Sequence, residues 1–289
     1  MKFITKNKFH IFSRKKDSRK GDNGIVLAIG GSENYPGAIA LAGLAALRSG
    51  CDLVRVIAPE KAAWAINCYS PDLITVKAKG RALGINHLDM IKKYSEKSDV
   101  ILLGNGMGLE KGTQELCKKA AGIKVPKVID ADAIKSISMK NVENSIITPH
   151  SKELEIFLKN SNIRDSTVQK ITNEKSIEKK SKAIQKACSS FLKHGNIILL
   201  KGPVDAVISA GKIKFVKGGN PGMTKGGTGD VLAGLSAGFL AQSKDLLQSA
   251  VNASYFNKRV GDILLRKKKG FAFLASDMVK EIKRIQSWT

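Results

Sequence analysis

Short apolar runs alternate with longer amphipathic segments along this chain. The runs that predict buried strands are residues 25–29, 53–57, 99–103, 127–130, 145–148 and 195–201. Between the first two, Pro36 suits the first turn of a helix and Gly50 suits its end, and the interior is rich in alanine. Strands that alternate with helices pair in parallel through right-handed crossovers, so the pattern predicts an α/β fold.

The last third of the chain departs from this alternation. Residues 205–209 and 212–216 predict a β-hairpin. Helices are predicted at residues 231–242, at residues 247–265 and from residue 275 onward. Gly234 and Gly238 fall on one face of the first of these helices, which permits close packing against another element. Before the hairpin, the lysine- and asparagine-rich residues 159–182 predict a loop that leads into a charged helix.

A glycine-rich segment directly precedes the first of these late helices. It reads Gly226-Gly227-Thr228-Gly229-Asp230. Glycine lets backbone N–H groups turn towards one point, and the first N–H groups of the following helix are unpaired, so the segment should hold an anion such as a phosphate. A carboxylate at such a place has a natural task as the base that takes a proton from a hydroxyl attacking phosphorus. The alternative is that Asp230 caps the helix.

Glycines and ionisable side chains also follow several predicted strands. Because ligands bind at the carboxyl ends of parallel strands, we expect these groups to share one edge of the sheet. The segments are Gly30-Gly31-Ser32, Gly104-Asn105-Gly106-Met107-Gly108, Asp130-Ala131-Asp132, Pro149-His150-Ser151-Lys152-Glu153 and Lys201-Gly202-Pro203-Val204-Asp205. The first segment lacks the third glycine of a dinucleotide fingerprint, so a dinucleotide-binding Rossmann unit is not indicated.

Three of these side chains have a candidate role and an ordinary alternative. His150 follows a strand and Pro149, where it could contact a substrate, although a lone histidine is often structural. Lys201 leaves the end of a buried strand and could meet a nucleotide phosphate, or it could be a solvated lysine. Glu153 could hold the water shell of a magnesium ion, or it could cap the helix that follows.

The excess of basic residues bears on possible partners. The 289 residues include 49 Lys and Arg against 25 Asp and Glu, a formal net charge of +24. The lysines are spread along the chain and aromatic residues make up only 6%, whereas nucleic-acid surfaces interleave aromatic and basic groups. A solvated lysine-rich surface is therefore favoured over a nucleic-acid interface, and its charge attracts phosphorylated small molecules.

Cysteine spacing and hydropathy bear on the compartment. The four cysteines lie far apart with no paired spacing, so neither a zinc site nor a disulfide framework is indicated; they are Cys51, Cys68, Cys117 and Cys188. The basic segment 1–19 lacks the apolar core of a signal peptide, and no run approaches the ~20 apolar residues of a membrane span. We expect a cytoplasmic protein without a membrane partner, with a basic leader over 1–19 and one domain over 20–289.

Taken in order, these motifs resemble the NAD(P)H-hydrate dehydratase family, which belongs to the ribokinase-like superfamily. The resemblance runs from about Lys20 to Asp277, and the residues of these motifs are most similar to those of archaeal members. The matching segments are Gly30-Gly31-Ser32, Tyr35-Pro36-Gly37-Ala38, residues 104–108, Asp130-Ala131-Asp132-Ala133, Thr148-Pro149-His150, Leu200-Lys201-Gly202 and residues 222–234. The last of these is highly specific, and the others are moderately so.

The resemblance implies a three-layer α/β/α ribokinase-like fold with a mostly parallel central sheet, and a repair reaction. ADP or ATP with Mg²⁺ drives dehydration of the S epimer of NAD(P)H hydrate, that is NADHX or NADPHX, back to NAD(P)H. Because hydroxide is a poor leaving group, the hydroxyl is first phosphorylated and phosphate then departs. Archaeal members are commonly fused to an epimerase domain, which is not expected here, so either a separate NAD(P)H-hydrate epimerase is a partner or the repair works on one epimer. The family also implies a homo-oligomer, often a tetramer.

Position by position, the resemblance assigns roles to residues of this chain. Asp230 would take the proton of the hydroxyl, and the N–H groups around Gly227, Thr228 and Gly229 would stabilise the transferring phosphoryl group. The implied contacts with the hydrated nucleotide are Ala38, Gly106, His150 and Asp230. The implied contacts with ADP or ATP are Lys201, Gly202, Pro203, Val204, Asp205 and Gly229. Glu153 is the weaker inference, as a residue of the magnesium shell.

The chain departs from the family's usual wording at several positions. Asn105 and Met107 replace Pro and Leu, Lys225 replaces a small or apolar residue, Arg19 replaces His, and Ser151-Lys152 replace Pro-Gly. None of these changes removes a reacting group, but Lys225 lies beside the glycine-rich segment and leaves the choice between ADP and ATP open. The alternative function is a small-alcohol kinase of the hydroxyethylthiazole or sugar type, which shares the aspartate at the glycine-rich segment.

Overall fold

A single sheet runs through the part of the chain that the structure describes. The structure is a computed structural model that describes residues 3–4, 14–267 and 270–282, so most of the predicted basic leader, residues 1–19, lies outside it. The strands of the described residues are β1 (Ile25–Ile29), β2 (Leu53–Pro59), β3 (Ile74–Ala78), β4 (Val100–Leu103), β5 (Lys127–Ile129), β6 (Ser145–Ile147), β7 (Ile197–Leu200), β8 (Val204–Ile208) and β9 (Ile213–Lys217).

The order of the strands across the sheet is β3-β2-β1-β4-β5-β6-β7-β8-β9. Neighbours pair in parallel from β3 to β7, whereas β7, β8 and β9 pair antiparallel, which confirms the predicted hairpin. The chain moves outward from β1 to β3 and then returns to the other side of β1 as β4. Because the connections after β1 and β4 leave in opposite directions, a crevice opens beyond the carboxyl ends of these two strands.

Helices cover both faces of this sheet. Those of the described residues are α1 (Pro36–Ser49), α2 (Glu60–Tyr69), α3 (Leu88–Ser95), α4 (Lys111–Ala121), α5 (Ala131–Ser136), α6 (Ser151–Asn160), α7 (Asp165–Asn173), α8 (Ile177–Ala187), α9 (Ser189–Lys193), α10 (Thr228–Ser243), α11 (Leu246–Lys267) and α12 (Ala275–Ile282). Successive side chains of β1 point to opposite faces: Val26 belongs to the core cluster that includes residues of α1, α10 and α11, and Leu27 belongs to the cluster that includes residues of α4, α6 and α8. The predicted three-layer α/β/α architecture with a mostly parallel sheet is confirmed.

Helix α10 lies directly against α1, and two glycines allow the contact. A Cβ atom on Gly234 would come within 2.0 Å of the carbonyl oxygen of Ala42, and one on Gly238 would come within 2.6 Å of that of Ala46. The predicted packing face is therefore confirmed, and it fixes the start of α10 relative to α1. Although α10 is apolar almost all round, none of the described helices has the length and hydropathy needed to cross a bilayer.

Two local predictions differ from the structure. Residues 159–182 were expected to form a loop and one charged helix, but α7 occupies part of this segment, because Val168 and Ile171 bury one face of it. The predicted helix at 231–242 begins three residues earlier, at Thr228, so the end of the glycine-rich segment is itself helical. The second difference matters for the site, because it places Asp230 within the first turn of α10.

Candidate active site

The glycine loop, residues 225–229, leads directly into α10. Gly227 is the residue before the helix, and its φ of 91° lies in the left-handed region that favours glycine. The Thr228 hydroxyl donates to the carbonyl oxygens of Met223 (2.6 Å) and Lys225 (2.9 Å), which closes the loop. The first N–H groups of α10 have no partner within the helix, so the predicted loop-to-helix arrangement is confirmed and has the geometry of an anion site.

Asp230 does not cap this helix. The capping position belongs to Gly227, and no side chain makes a capping hydrogen bond there. One carboxylate oxygen of Asp230 instead accepts a hydrogen bond of 2.7 Å from Nδ2 of Asn105. Burial, and then the nearby charge of Asp130, raise the pKa of Asp230 to about 7. A carboxyl group that exchanges its proton near neutral pH is suited to act as a general base.

Asp130 and Lys201 form an ion pair beneath Asp230. The Lys201 ammonium lies 2.9 Å from Oδ1 of Asp130, which also accepts a hydrogen bond of 2.7 Å from the Thr148 hydroxyl. Lys201 also lies 3.4 Å from Oε2 of Glu153. Burial opposes the charge on Lys201, but the two carboxylates outweigh it and raise the pKa of this lysine. Lys201 is therefore a fixed cation at the end of β7.

Asn105 connects this ion pair to Asp230. Its Nδ2 donates to Oδ2 of Asp130 at 3.0 Å as well as to Asp230, and its side chain is fully buried. Because both partners are acceptors when ionised, the nitrogen of the amide must face them. The backbone carbonyl oxygen of Asn105 accepts a hydrogen bond of 2.8 Å from the Gly31 N–H. This bond joins the glycine segments that follow β1 and β4. Asn105 therefore sets the position of two carboxylates.

His150 and Glu153 form the start of α6. The Nδ1 atom of His150 accepts from the N–H groups of Lys152 (3.2 Å) and Glu153 (3.3 Å), and the Glu153 carboxylate accepts from the His150 N–H at 2.9 Å. This reciprocal arrangement is a capping box, with histidine in the place of the usual serine or threonine. The His150 side chain is half-exposed, whereas that of Glu153 is 6% exposed. His150 can therefore contact a ligand, and Glu153 acts first as a helix cap.

A cavity lies beside these groups, and we call it the larger cavity to distinguish it from a smaller one described below. Its volume is about 630 Å³, and its wall includes His150, Lys201, Gly202, Pro203, Asp205, Thr228 and Gly229. A Cβ atom on Gly229 would lie 3.6 Å from the Lys201 ammonium, so the glycine loop and the lysine face each other. Of the predicted nucleotide contacts, Val204 is the one that does not line the cavity formed by the described residues. The structure brings the others together.

Ala38 and Gly106 meet at the switch point of the sheet. A Cβ atom on Gly106 would lie 3.0 Å from that of Ala38 and 2.7 Å from the carbonyl oxygen of Tyr35. The φ of Gly106 is 70°, so this position favours glycine for conformational as well as steric reasons. Since Gly106 follows Asn105, this pair is adjacent along the chain to the residue that holds Asp230.

A smaller cavity lies on the other side of the glycine loop. Its volume is about 440 Å³, and Lys225 and Gly226 contribute to its wall. The Lys225 ammonium donates to the carbonyl oxygens of Phe271 and Phe273, which ties the glycine loop to the segment before α12. Lys225 therefore faces away from the cavity that Lys201 lines.

Sequence reasoning did not assign a role to Asn105, Asp130 or Thr148. A signal was present for the first, because Asn105 is the only polar residue of the second glycine segment, and for Asp130, which ends a strand. No local signal could show that Asn105 would bridge Asp130 and Asp230, which lie 25 and 125 residues away along the chain.

Two adjacent glycines of the loop give a matched test of its geometry. We expect Gly227→Ala to lower the free energy of unfolding by about 1–3 kcal/mol, because its φ is strained for alanine and the new Cβ atom would lie 2.8 Å from Ala275 and from Leu41. Gly226→Ala is the control, since no heavy atom lies within 4 Å of its Cβ position. Urea denaturation of both variants measures the difference. Equal stabilities would contradict the loop geometry.

The comparison with known families decides which family the chain belongs to. The sequence profile described as NAD(P)H-hydrate dehydratase matches residues 26–284. This chain belongs to the NAD(P)H-hydrate dehydratase family. The match spans all nine strands of the described sheet apart from the first residue of β1, and it includes the glycine loop and Asp230. The resemblance seen in the motifs is thereby confirmed.

Individual members of the NAD(P)H-hydrate dehydratase family match nearly all of the chain. The chain is 36% identical over 279 residues to the bifunctional NAD(P)H-hydrate repair enzyme Nnr of Pyrobaculum aerophilum, which covers 95% of the chain and 52% of that protein. It is 32% identical over 280 residues to the ADP-dependent (S)-NAD(P)H-hydrate dehydratase of Nitrosopumilus maritimus, with coverage of 94% and 92%. The chain therefore spans about half the length of its bifunctional relatives.

Solved structures agree on the fold. A ribokinase-like superfamily protein from Enterococcus faecalis V583 superposes with a TM-score of 0.82 and 28% identity, covering 99% of this chain and 95% of that one. The ADP/ATP-dependent NAD(P)H-hydrate dehydratase of Bacillus subtilis, co-crystallized with ATP and Mg²⁺, superposes with a TM-score of 0.76 and 23% identity, covering 96% and 93%. The predicted ribokinase-like fold is confirmed.

Proposed function

We propose that this protein dehydrates the S epimer of NAD(P)H hydrate to NAD(P)H and consumes ADP or ATP in doing so. The observation that carries the proposal is the place of Asp230, a carboxyl group with its pKa raised to about 7 in the first turn of a helix whose N-terminus is built from glycine. A base next to an anion site is what phosphorylation of a hydroxyl requires. Membership of the NAD(P)H-hydrate dehydratase family supports the hydrate as the alcohol.

The reaction follows from these groups in two stages. Asp230 takes the proton of the hydrate's hydroxyl as its oxygen attacks the terminal phosphorus, and the bond from phosphorus to the bridging oxygen breaks to release AMP from ADP, or ADP from ATP. The N–H groups of Gly227, Thr228 and Gly229 stabilise the charge on the transferring phosphoryl group. Phosphate then leaves the ring carbon and a proton leaves the neighbouring carbon, which restores the ring double bond of NAD(P)H.

The larger cavity is the proposed nucleotide site. Lys201 supplies the positive charge for the terminal phosphates, opposite the glycine loop, and Gly202, Pro203 and Asp205 continue the wall. Val204 does not line this cavity, so we propose that it contacts the nucleotide through its backbone only. Two relatives that the chain matches over 84% and 92% of their own length are described as ADP-dependent, so ADP is the first nucleotide to test. Lys225 faces away from this cavity, which argues against a direct part for it in nucleotide choice.

The hydrated nicotinamide is proposed to lie at the switch point of the sheet. Ala38 and Gly106 present a surface without bulky side chains there, and Asn105 joins them to Asp230. The half-exposed ring of His150 would contact the same ligand from the start of α6. In this proposal the substrate's hydroxyl lies between Asp230 and the phosphates of the nucleotide.

Magnesium fits this site only as an ion that arrives with the nucleotide. Among the described residues, no group of three or more His, Cys, Asp or Glu side chains is arranged to hold a metal. Glu153, the predicted shell residue, already accepts from the His150 N–H and contacts Lys201, so it could reach such an ion only through water. Bound to the phosphates, magnesium would neutralise part of their charge.

Wider partners follow from the same proposal. An NAD(P)H-hydrate epimerase would supply the S epimer. The longer relatives are described as bifunctional repair enzymes, which supports such a partner. A homo-oligomer, such as the predicted tetramer, is supported by exposed aromatic side chains: Tyr35 directly before α1, and Trp64 and Tyr69 in α2. A cytoplasmic location is proposed because NAD(P)H and adenine nucleotides are abundant there.

The direct test follows the nicotinamide absorbance of hydrated NADH. We expect the absorbance to return only when protein, ADP or ATP, and Mg²⁺ are all present, with one nucleotide consumed for each NADH formed. The same preparation incubated with hydroxyethylthiazole or a sugar should give no stable phosphate ester. Formation of such an ester without recovery of NADH would establish the kinase alternative instead.

A further inference from the structure

One polar side chain of the larger cavity has an oxygen atom without a partner among the described residues. Asn257 lies in α11, is 6% exposed and lines the cavity. Its Oδ1 atom is buried and has no hydrogen-bond partner among the described residues. Buried amide oxygens are almost always hydrogen-bonded, because leaving one unpaired is unfavourable. The Asn257 amide therefore needs a partner that the described residues do not supply.

The other polar side chains of the cavity wall are already engaged. Nζ of Lys258 donates to the carbonyl oxygens of Gly202 (2.9 Å) and Pro203 (3.2 Å) and lies 3.3 Å from Oδ1 of Asp205. Oδ1 of Asp205 also accepts from the Gly202 N–H, and its Oδ2 accepts from the hydroxyl of Ser254. Partners within the chain also engage His150, Lys201, Asn220, Thr224 and Thr228. Of the polar side chains on this wall, Asn257 is the one with a buried polar atom that no described residue satisfies.

The surroundings of Asn257 suit a flat heterocycle. Asn257 lies one helical turn before Gly261, where a Cβ atom would come within 2.4 Å of the Met223 sulfur. Met223 lines the same cavity together with Pro203 and Leu232. Methionine packs well against aromatic rings, and its sulfur interacts favourably with them. A nucleotide whose phosphates face Lys201 and the glycine loop would bring its base to this apolar part of the wall.

We propose that Asn257 recognises the adenine base of the nucleotide, an inference that rests on the proposed nucleotide-driven reaction. A carboxamide pairs with adenine through two hydrogen bonds: its oxygen accepts from the N6 amino group and its nitrogen donates to N7. Hypoxanthine and guanine carry a carbonyl oxygen in place of that amino group, so the oxygen of Asn257 would face another acceptor. Asn257 is thus a specificity-determining residue that selects adenine nucleotides.

Calorimetric titration with ADP and with inosine diphosphate, which differ at this amino group, tests the inference without any turnover. The wild-type protein should bind ADP more tightly than inosine diphosphate. Asn257→Leu should weaken ADP binding roughly ten- to a hundredfold and remove most of the preference. Asn257→Ser, which cannot fill the cavity, should also lose the preference, so the result does not depend on the bulk of leucine.

Ser181→Ala is the matched control. The Ser181 hydroxyl is also fully buried and without a partner among the described residues, but it lies in α8 and not on the cavity wall. This variant should bind both nucleotides as the wild type does. Without nucleotide, Asn257→Leu should keep or raise the wild-type Tm, because it removes an unpaired buried group. A fall in Tm with unchanged ADP affinity would assign Asn257 a structural role and overturn the inference.

The outcomes separate this inference from the function on which it rests. If the wild type binds ADP and the Asn257 variants keep its affinity and preference, the inference is wrong and the proposed reaction stands. If the wild type binds neither nucleotide, the proposed nucleotide site itself is wrong, and the inference fails with it.

Discussion

Asp230→Asn is expected to lower the rate of hydrate dehydration by about 10²–10⁴-fold, the usual contribution of a general base. The substitution keeps the size of the side chain and an oxygen that can accept from Asn105, so the site geometry should persist. Only the capacity to take a proton is lost. Recovery of nicotinamide absorbance from hydrated NADH with ADP and Mg²⁺ measures the effect. Unchanged turnover would remove Asp230 from its assigned role.

The pH dependence of the wild type provides the companion measurement. Because the pKa of Asp230 is raised to about 7, the rate should rise as pH increases through that value and the base loses its proton. A rate that stays flat from pH 5 to pH 8 would contradict the assignment.

Asp230→Asn should also be more stable than the wild type. A gain in stability would show that the variant loses activity because it lacks the base and not because it unfolds. In the folded protein the pKa of Asp230 is raised from 3.8 to about 7, so the folded state holds this proton more tightly than the unfolded chain does. The group's contribution to stability is complete below pH 3.8 and is lost as pH rises to about 7. Asparagine carries no charge to bury, so Asp230→Asn should be more stable than the wild type at pH 8, and the difference should shrink towards pH 4. Urea denaturation across this range checks the trend.

Lys201→Met is expected to lower the free energy of unfolding by about 3–5 kcal/mol, the usual cost of removing one partner of a buried ion pair. Asp130 is 2% exposed and would be left with an uncompensated charge, and Glu153 would lose its nearest cation. Methionine fills much of the same space, so the loss would come from charge more than from packing. The variant should also bind ADP weakly, since the cation that faces the glycine loop is gone.

A second substitution separates these two consequences of Lys201→Met. Adding Asp130→Asn removes the orphaned charge, so the double variant should recover most of the lost stability but none of the nucleotide affinity. If Lys201→Met unfolds at the same urea concentration as the wild type at pH 8, the ion pair does not hold the site together.

Much of the fold could be predicted from the order of apolar runs. Five consecutive apolar residues at 25–29 can form only a buried strand or part of a buried helix, and the glycines that follow favour the strand. The parallel arrangement then follows from the helix between β1 and β2. The helix within residues 159–182 was harder to predict, because the buried face of α7 consists of little more than Val168 and Ile171 among polar neighbours. Two apolar residues are too few to stand out from the sequence.

The candidate site, like the fold, was predictable from the sequence only in part. Local sequence was sufficient for the glycine loop, for Asp230 at the start of a helix, and for Lys201 at the end of β7, because glycine conformation, helix termini and strand ends are local properties. The capping box of His150 and Glu153 is local as well, three residues apart. In contrast, Asn257 lies about 30 residues beyond the glycine loop, and nothing near it marks it as part of a cavity.

The sequence by itself determined eight of the nine described strands, all but β3, together with the helix that follows the glycine loop, the family and the presence of one acidic side chain beside that loop. Only the tertiary structure decided what surrounds that side chain. Asn105, Asp130 and Lys201 follow the ends of β4, β5 and β7, and Asp230 lies in α10. They meet because the strand order places β4 beside β5 and because α10 packs against α1. The pKa of Asp230 depends on this burial and on these neighbours, which are properties of the packed chain and not of any short stretch of it.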